Sequence, residues 1–248
     1  MNREANVIRL NALEIPSVKN AMYLHYSSYF KDLKKVFDTH IKENDRVFDI
    51  GCGNKPFETY IRDLTKRIDG DSYVGCDIVQ SSENKVDILC EATNIPESAE
   101  TYDVVVCTQV IEHVFDHQKV FEEAYRLLKP GGKFIVSGPF IFEKHEKPYD
   151  FYRFTNYGFE TLLIRAGFEI KEGIANGGKW AVLGHLMIRC FASKRRLKFF
   201  LSKVIRRIWN TAVILFCNLF FHYLDNRREN SDEFTLNYIY VGEKKDSN

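Results

Sequence analysis

The stretch that most constrains this chain is Arg46-Val47-Phe48-Asp49-Ile50-Gly51-Cys52-Gly53, an apolar run ending in an acid and two glycines one residue apart. A short apolar run is the pattern of a strand buried on both faces, and a glycine turn after it lets a ligand approach bare backbone. Asn54-Lys55-Pro56 follows, then Phe57, Tyr60, Ile61 and Leu64 at helical spacing, with proline suited to the first helical position. Strand, turn and helix together predict a nucleotide-type pocket at the carboxyl end of a parallel strand. The alternation continues downstream. Strands are expected at 46–50, 73–77, 85–90, 102–107 and 133–138, and helices at 19–42, 56–66, 116–128 and 156–166. Lys129-Pro130-Gly131-Gly132 reads as a helix stop and a turn. Gly167-Phe168-Glu169-Ile170 opens a sixth strand, and 234–241 alternates as a seventh. Such alternation predicts an α/β fold on a mostly parallel sheet with helices on both faces.

Two families build a glycine turn of this kind. A dinucleotide fingerprint, G-x-G-x-x-G, needs a third glycine where this chain has Pro56, and it has no use for Asp49 two residues before Gly51. The segment instead resembles motif I, D-x-G-x-G, of the class I methyltransferases that use S-adenosylmethionine. Ile111-Glu112-His113-Val114 after the fourth strand, followed by Leu127-Leu128-Lys129-Pro130-Gly131-Gly132, is similar to the methyltransferase domain often called type 11. The resemblance covers residues 45–172. It implies a Rossmann-like seven-stranded sheet, mostly parallel with the last strand antiparallel, and S-adenosylmethionine as cofactor. Here a helical insertion is expected between strands six and seven.

On that resemblance the glycine turn (Asp49, Gly51, Cys52, Gly53) holds the methionine part. Asp77 closes the second strand, where a carboxylate can accept hydrogen bonds from both ribose hydroxyls, and Ile78 beside it can cover one face of the adenine. The family places an acid and a small residue after the third strand to read the adenine. Glu91-Ala92 occupies that place, with Asp87 as the competing acid. Thr108 and Gln109 arrive at the same sheet edge from the fourth strand, and Gln109 joins the cofactor set.

After the fifth strand comes His145-Glu146-Lys147-Pro148-Tyr149-Asp150-Phe151-Tyr152-Arg153-Phe154-Thr155, crowded with aromatic and ionisable groups over the edge where an acceptor enters. Tyr149, Tyr152 and Arg153 are the expected substrate contacts, and Thr155 is suited to cap the next helix. The loop resembles one in methyltransferases of cell-surface glycan assembly. A methyl on sulfonium is already activated, so alignment and exclusion of water supply most of the acceleration. Where the acceptor is a hydroxyl or carboxyl a base helps. His145 is the first choice, His113 the second, and Asp150 a third group that could position or deprotonate. Glu112 and His113 have a blander reading as organisers of local hydrogen bonds. No metal is expected, because these residues lack metal-ligand spacing in the sequence.

Residues 173–224 differ in kind: they hold no Asp or Glu and nine basic residues. Leu197, Phe200, Leu201, Val204, Ile205, Ile208 and Trp209 form one apolar face, and 211–224 is apolar nearly all round except for a narrow stripe of Thr211, Asn218 and His222. A membrane span is not expected, since the apolar run Ile208 to Leu224 has 17 residues where about 20 are wanted. An interfacial helix, a lid and a dimer contact remain open. The organisation expected is an N-terminal arm and helix (1–44), a cofactor-binding core (45–172), a basic and apolar helical insertion (173–230) and a final strand with tail (231–248). The net charge of +1 gives no general attraction to nucleic acid. Six cysteines without a C-x-x-C pair indicate neither zinc nor disulfides. The start lacks a signal-peptide core, so a cytoplasmic site is expected, with peripheral contact at the inner membrane face through 195–224. The function expected is methyl transfer to a small-molecule or glycan-pathway acceptor. A nicotinamide-dependent (NAD) oxidoreductase and a non-catalytic docking protein are the alternatives, and the oligomeric state is left open.

Overall fold

A computed structural model describes residues 15–67, 72–192, 200–226 and 233–245. Seven strands form one sheet: β1 (Val47–Ile50), β2 (Tyr73–Asp77), β3 (Ile88–Leu89), β4 (Tyr102–Thr108), β5 (Leu128–Pro139), β6 (Phe168–Asn176) and β7 (Asn237–Lys244). Six helices accompany them: α1 (Tyr23–His40), α2 (Glu58–Thr65), α3 (His117–Leu127), α4 (Asn156–Ala166), α5 (Lys179–Phe191) and α6 (Phe200–Asn226). The strand order is β3-β2-β1-β4-β5-β7-β6.

β1 pairs in parallel with β2 on one side and β4 on the other, and all four of its residues are buried. Two-sided burial is why its sequence is a continuous apolar run rather than an alternating one. Phe48, Ile50, Val105 and Phe134 are fully buried in the sheet, each contributing roughly 1.5–3 kcal/mol. The order reverses at β1, with one neighbour leading towards β3 and the other towards β5, so the pocket belongs at the carboxyl ends of β1 and β4. β7 runs antiparallel to both its neighbours. Glu243 near its end pairs with Lys133 early in β5, whereas Tyr238 near its start meets Phe140 just beyond β5. Gly242 likewise lies against Phe168, the first residue of β6.

Three strands depart from the expected spans, and of these β7 is displaced by three residues, from 234–241 to Asn237–Lys244. β3 is two residues long, not 85–90, although the N–H groups of Asp87 and Cys90 on either side of it still donate to the β2 carbonyls of Gly75 and Asp77. β5 starts at Leu128, so the segment expected as helix stop and turn is the opening of a strand. Gly131 (φ +74°) and a register shift against Tyr102 and Val104 absorb the irregularity. α4 begins at the expected cap, with the Gly158 N–H donating to Thr155 Oγ1 at 3.1 Å, and ends at Gly167 with φ +101°.

The chain divides into two compact units. Among the described residues, one comprises 33–174 and 238–245, and carries the β1 turn and the loop after β5. The other comprises 15–32, 175–226 and 233–237. In this second unit α5 and α6 form an antiparallel hairpin. Trp209 Nε1 donates to the Phe191 carbonyl at one end, and at the other the Asp225 carboxylate accepts from the N–H groups of Gly178 and Ala181. The expected arm at 1–14, the basic cluster at 194–198 and Leu197 lie outside the described residues. α6 has 27 residues, and its Lys203–Asn226 portion is long and apolar enough to cross a membrane by length and composition alone. The 17-residue arithmetic fell short because the helix continues through its basic first turns.

Candidate active site

The turn after β1 is made of backbone. Gly51 has φ +74° and Gly53 φ +51°, and a Cβ on Gly51 would lie 2.4 Å from Val110 Cγ2, so only glycine fits there. The N–H groups of Gly51 and Cys52 both donate to the Cys76 carbonyl, at 2.8 and 2.9 Å. The Gly53 N–H donates to Asp77 Oδ2 at 3.1 Å, and Asp77 Oδ1 accepts from the Val79 N–H at 3.3 Å. Asp77 is thereby fixed at the end of β2, within reach of the turn, with Ile78 44% exposed beside it.

Other members of the expected cofactor set take structural places. Asp49 is buried beneath the turn and accepts a short hydrogen bond from the Tyr73 hydroxyl. Burial pushes its pKa up to about 7, against the Tyr73 hydrogen bond and the Lys55 charge, which hold it down, and with the Asp77 charge adding to the rise. Asp49 therefore braces the turn from below. The Cys52 side chain is also buried, against Gly75, leaving its backbone to face the turn. Asp87 accepts from the Lys55 amine and the Gly75 N–H, which spends the acid that competed for the adenine. Glu91 is exposed beyond β3, where its carboxylate accepts from the Thr93 hydroxyl at 3.4 Å, and Ala92 follows it half-buried. Gln109, with φ +56°, is tied to β5: its N–H donates to the Ser137 carbonyl and its side-chain amide to Ser137 Oγ.

The acceptor edge is made of side chains. A short 3-10 turn, Ile111–His113, follows β4, and the loop after β5 is stitched to it by the N–H groups of Phe151 and Tyr152, which both donate to the Glu112 carbonyl. This brings residues 112–113 and 145–153 together. The rings of His113 and His145 meet edge to face, 4.7 Å apart. His113 Nδ1 lies 2.8 Å from the Tyr149 carbonyl, which assigns it the proton and turns Nε2 towards Glu112. Glu112 is fully buried and neither carboxylate oxygen has a hydrogen-bond partner. Its Oε1 lies 3.8 Å from His113 Nε2 and 3.7 Å from His145 Nε2. Those separations are too long for direct hydrogen bonds and short enough for the carboxylate to act on both rings through its charge. Burial works against the charged form of His145, but the Glu112 carboxylate, helped by Asp150, outweighs it and raises the pKa above the usual histidine value.

Asp150 and Arg153 are not free to act on an acceptor. Asp150 accepts both guanidinium nitrogens of Arg153, at 2.6 and 2.9 Å, and the His145 N–H at 2.9 Å. Burial opposes the charge on Asp150, yet the Arg153 guanidinium and the His145 N–H together hold it below the usual carboxylate range. The terminal nitrogens of Arg153 also donate to the carbonyls of Glu143 and Tyr152, whereas its buried Nε has no hydrogen-bond partner. The pair that sequence reasoning set down as base and substrate contact is a clamp that positions His145. Tyr152 donates its hydroxyl to the Phe115 carbonyl, and its ring sits in a cluster with Phe115, Phe151 and His117. Tyr149 contributes its carbonyl to His113. Glu112 is the residue the sequence undervalued; the adjacent acid and histidine were the available signal.

The methyltransferase domain family matches residues 23–171, well over half of the chain. The chain belongs to that family, the class I S-adenosylmethionine-dependent methyltransferases. A probable S-adenosylmethionine-dependent methyltransferase of Mycolicibacterium smegmatis is 31% identical over 148 residues, covering 55% of this chain and 58% of that protein. A ubiquinone biosynthesis O-methyltransferase of Pseudomonas savastanoi is 46% identical over 41 residues, 16% of this chain and 18% of that protein. The chain thus spans less than two thirds of the length of these relatives. The crystal structure of the [4+2]-cyclase SpnF superposes with a TM-score of 0.56 at 14% identity, covering 88% of this chain and 82% of that one. A cyclase on the same fold shows that the sheet alone does not decide the chemistry. The family's methyl donor fits the residues present. The turn exposes backbone where no Cβ is tolerated, Asp77 stands at the end of β2 for a ribose, and Ile78 is open for an adenine face.

Proposed function

We propose that this protein transfers the methyl group of S-adenosylmethionine to a hydroxyl oxygen of a small-molecule acceptor. Bound at the turn, the cofactor supplies a methyl group activated by its sulfonium. The turn of Gly51 and Gly53 and the Asp77 carboxylate hold the donor, with Ile78 and Glu91-Ala92 around the adenine. The observation that carries the reading is the buried, unpartnered Glu112 carboxylate facing the Nε2 atoms of His113 and His145. In this reading His145 Nε2 takes the hydroxyl proton as the oxygen–methyl bond forms, and Glu112 stabilises the imidazolium that results. His113, anchored on the Tyr149 carbonyl through Nδ1–H, packs edge to face on the His145 ring and holds it in place. The nicotinamide oxidoreductase is set aside by the family. A non-catalytic docking protein is opposed by the intact turn and by a carboxylate kept buried without a hydrogen bond, facing two imidazoles, an arrangement that costs stability and that docking does not need.

A phenolic hydroxyl is the favoured acceptor, in line with the ubiquinone O-methyltransferase relative, because a histidine-strength base suffices for it. A sugar or glycan-pathway intermediate is the second reading, favoured by the exposed rings of Phe115 (76%) and Phe151 (43%), on which a pyranose face can stack. The test is calorimetric titration with S-adenosylhomocysteine and with NADH, followed by transfer of labelled methyl to dihydroxyphenols and to nucleotide sugars. Binding of the first ligand alone, with label in an oxygen-linked methyl group, is the expected result; label on nitrogen or carbon would overturn the oxygen assignment. Glu112, His113 and His145 are also close enough to share a cation, their ligand atoms lying within 4.8 Å of one another. The base reading leaves His145 free of metal, and on that reading transfer is expected to be indifferent to EDTA. Loss of transfer with rescue by magnesium or manganese would remove the base role from His145.

A further inference from the structure

In the second unit α6 is turned inside out. Asn218, the centre of its polar stripe, is buried and donates to the carbonyls of Val18 and Asn20, and His222 on the same stripe packs on the Tyr23 ring. The opposite side carries Ile205, Ile208, Ala212, Phe216, Leu219 and Tyr223, spaced by three and four residues into one stripe flanked by Trp209 and Phe220. Of these, Ile208 is 66%, Trp209 56%, Phe216 57% and Leu219 58% exposed. The stripe runs about 27 Å, from Ile205 to Tyr223. α5 adds Leu183, Leu186 and Phe191, also exposed. A contiguous apolar face of that size on a folded unit marks a surface that something covers.

The charges say what covers it. Lys203, Arg206 and Arg207 lie on the far side of the same helix from the stripe, and residues 173–224 contain nine basic residues and no acid. A helix lying in the headgroup–acyl boundary of a bilayer puts such a stripe towards the acyl chains and leaves the cations of its polar face level with the headgroups. An anionic bilayer brings the opposite charge and accepts the apolar face. Crossing the bilayer is opposed by the hairpin. α5, with 13 residues, extends only about 20 Å, too short to span, and its first turn is tied to the last turn of α6 through Asp225. The chain therefore enters and leaves on the same side. We propose that the α5–α6 hairpin is a membrane-surface anchor that lays the stripe of Ile205 to Tyr223 into the headgroup–acyl boundary of an anionic lipid bilayer. The inference is independent of the acceptor and of the base.

Trp180 and Trp209 are the two tryptophans of the chain, so Trp180→Phe leaves Trp209 as a single reporter at the flank of the stripe. With vesicles of phosphatidylcholine and phosphatidylglycerol (7:3) at low salt, its emission is expected to shift to the blue and the protein to co-sediment. Vesicles of phosphatidylcholine alone should bind about tenfold more weakly, and 0.5 M salt should weaken anionic binding similarly. Ile208→Glu with Phe216→Glu, both at exposed positions, is expected to abolish the shift while S-adenosylhomocysteine binding stays unchanged. No shift with anionic vesicles at low salt overturns the proposal. So does a shift that appears without lipid and follows protein concentration together with a doubled mass, which would assign the face to a second copy.

Discussion

The two edges of the first unit are built on different principles. The edge at the β1 turn is built of backbone: Gly51 and Gly53 shape it, and the acids around it are held by N–H groups, a hydroxyl and one lysine. The edge at the loop after β5 is built of side chains, and one of them, Glu112, is buried without a hydrogen bond and faces two imidazoles. A turn made of backbone tolerates almost no substitution at its glycines but asks little of neighbouring side chains. A cluster of side chains depends instead on a clamp, Asp150 with Arg153, to hold His145 in place. The difference predicts that binding of the donor and chemistry on the acceptor are separable here.

The largest expected effect tests that separation. His145→Ala should lower kcat by about 10²–10⁴ while affinity for S-adenosylhomocysteine, read by calorimetry, is unchanged. Equal loss of both would merge the two edges. Gly51→Ala is expected to act the other way, weakening S-adenosylhomocysteine at least about tenfold, because a Cβ meets Val110 and the positive φ is strained. Val110→Ala should recover part of that loss if the steric contact is the cause. Asp77→Ala should cost about tenfold in the same titration by removing a charged acceptor of ribose hydroxyls. Unchanged affinity there would place the ribose elsewhere.

Two smaller effects concern protons. His145 carries a raised pKa, so it is charged below the ordinary histidine value and becomes a base only as pH climbs through its folded value. The rising limb of kcat is expected above pH 6.5, and Glu112→Gln should move it to lower pH by removing the charge that favours the imidazolium. An unmoved limb would detach Glu112 from the base. Asp49 has the smallest effect, and it bears on stability. Its folded pKa, about 7, lies above the unfolded value near 3.8, so burial of the carboxylate progressively lowers stability as pH rises from about 4 through 7. Asp49→Asn should flatten that decline and, above pH 7, gain about 1 kcal/mol or more in urea unfolding. A decline as steep as that of the parent protein would mean Asp49 is not the group responsible.

Much of the cofactor edge was legible because its determinants are local. Asp49, Gly51, Gly53 and Asp77 lie on two strands and the turn between them, and an apolar run with glycines after it has few other ways to fold. The acceptor edge was only half legible. His113 and His145 could be named as candidates, but residues 32 apart meet only because the loop after β5 is pinned to the Glu112 carbonyl. Asp150 and Arg153 looked available in the sequence, since their mutual pairing and their bonds to backbone depend on the loop's path. The opening of β5 was misread because Pro130, Gly131 and Gly132 signal a turn locally, whereas the neighbouring strand holds the segment in the sheet.

By itself the amino-acid order determined the strands of the sheet, the glycine turn and the amphipathic period of the long insertion, since all three are written in local patterns of glycine and of residues that avoid water. Tertiary structure alone decided that Glu112 faces two imidazoles and that Asp150 is held by Arg153. It also decided that α6 hides Asn218 and shows Phe216. Periodicity tells which residues share a side of a helix, but which side turns outward is settled by what the rest of the chain offers to pack against it.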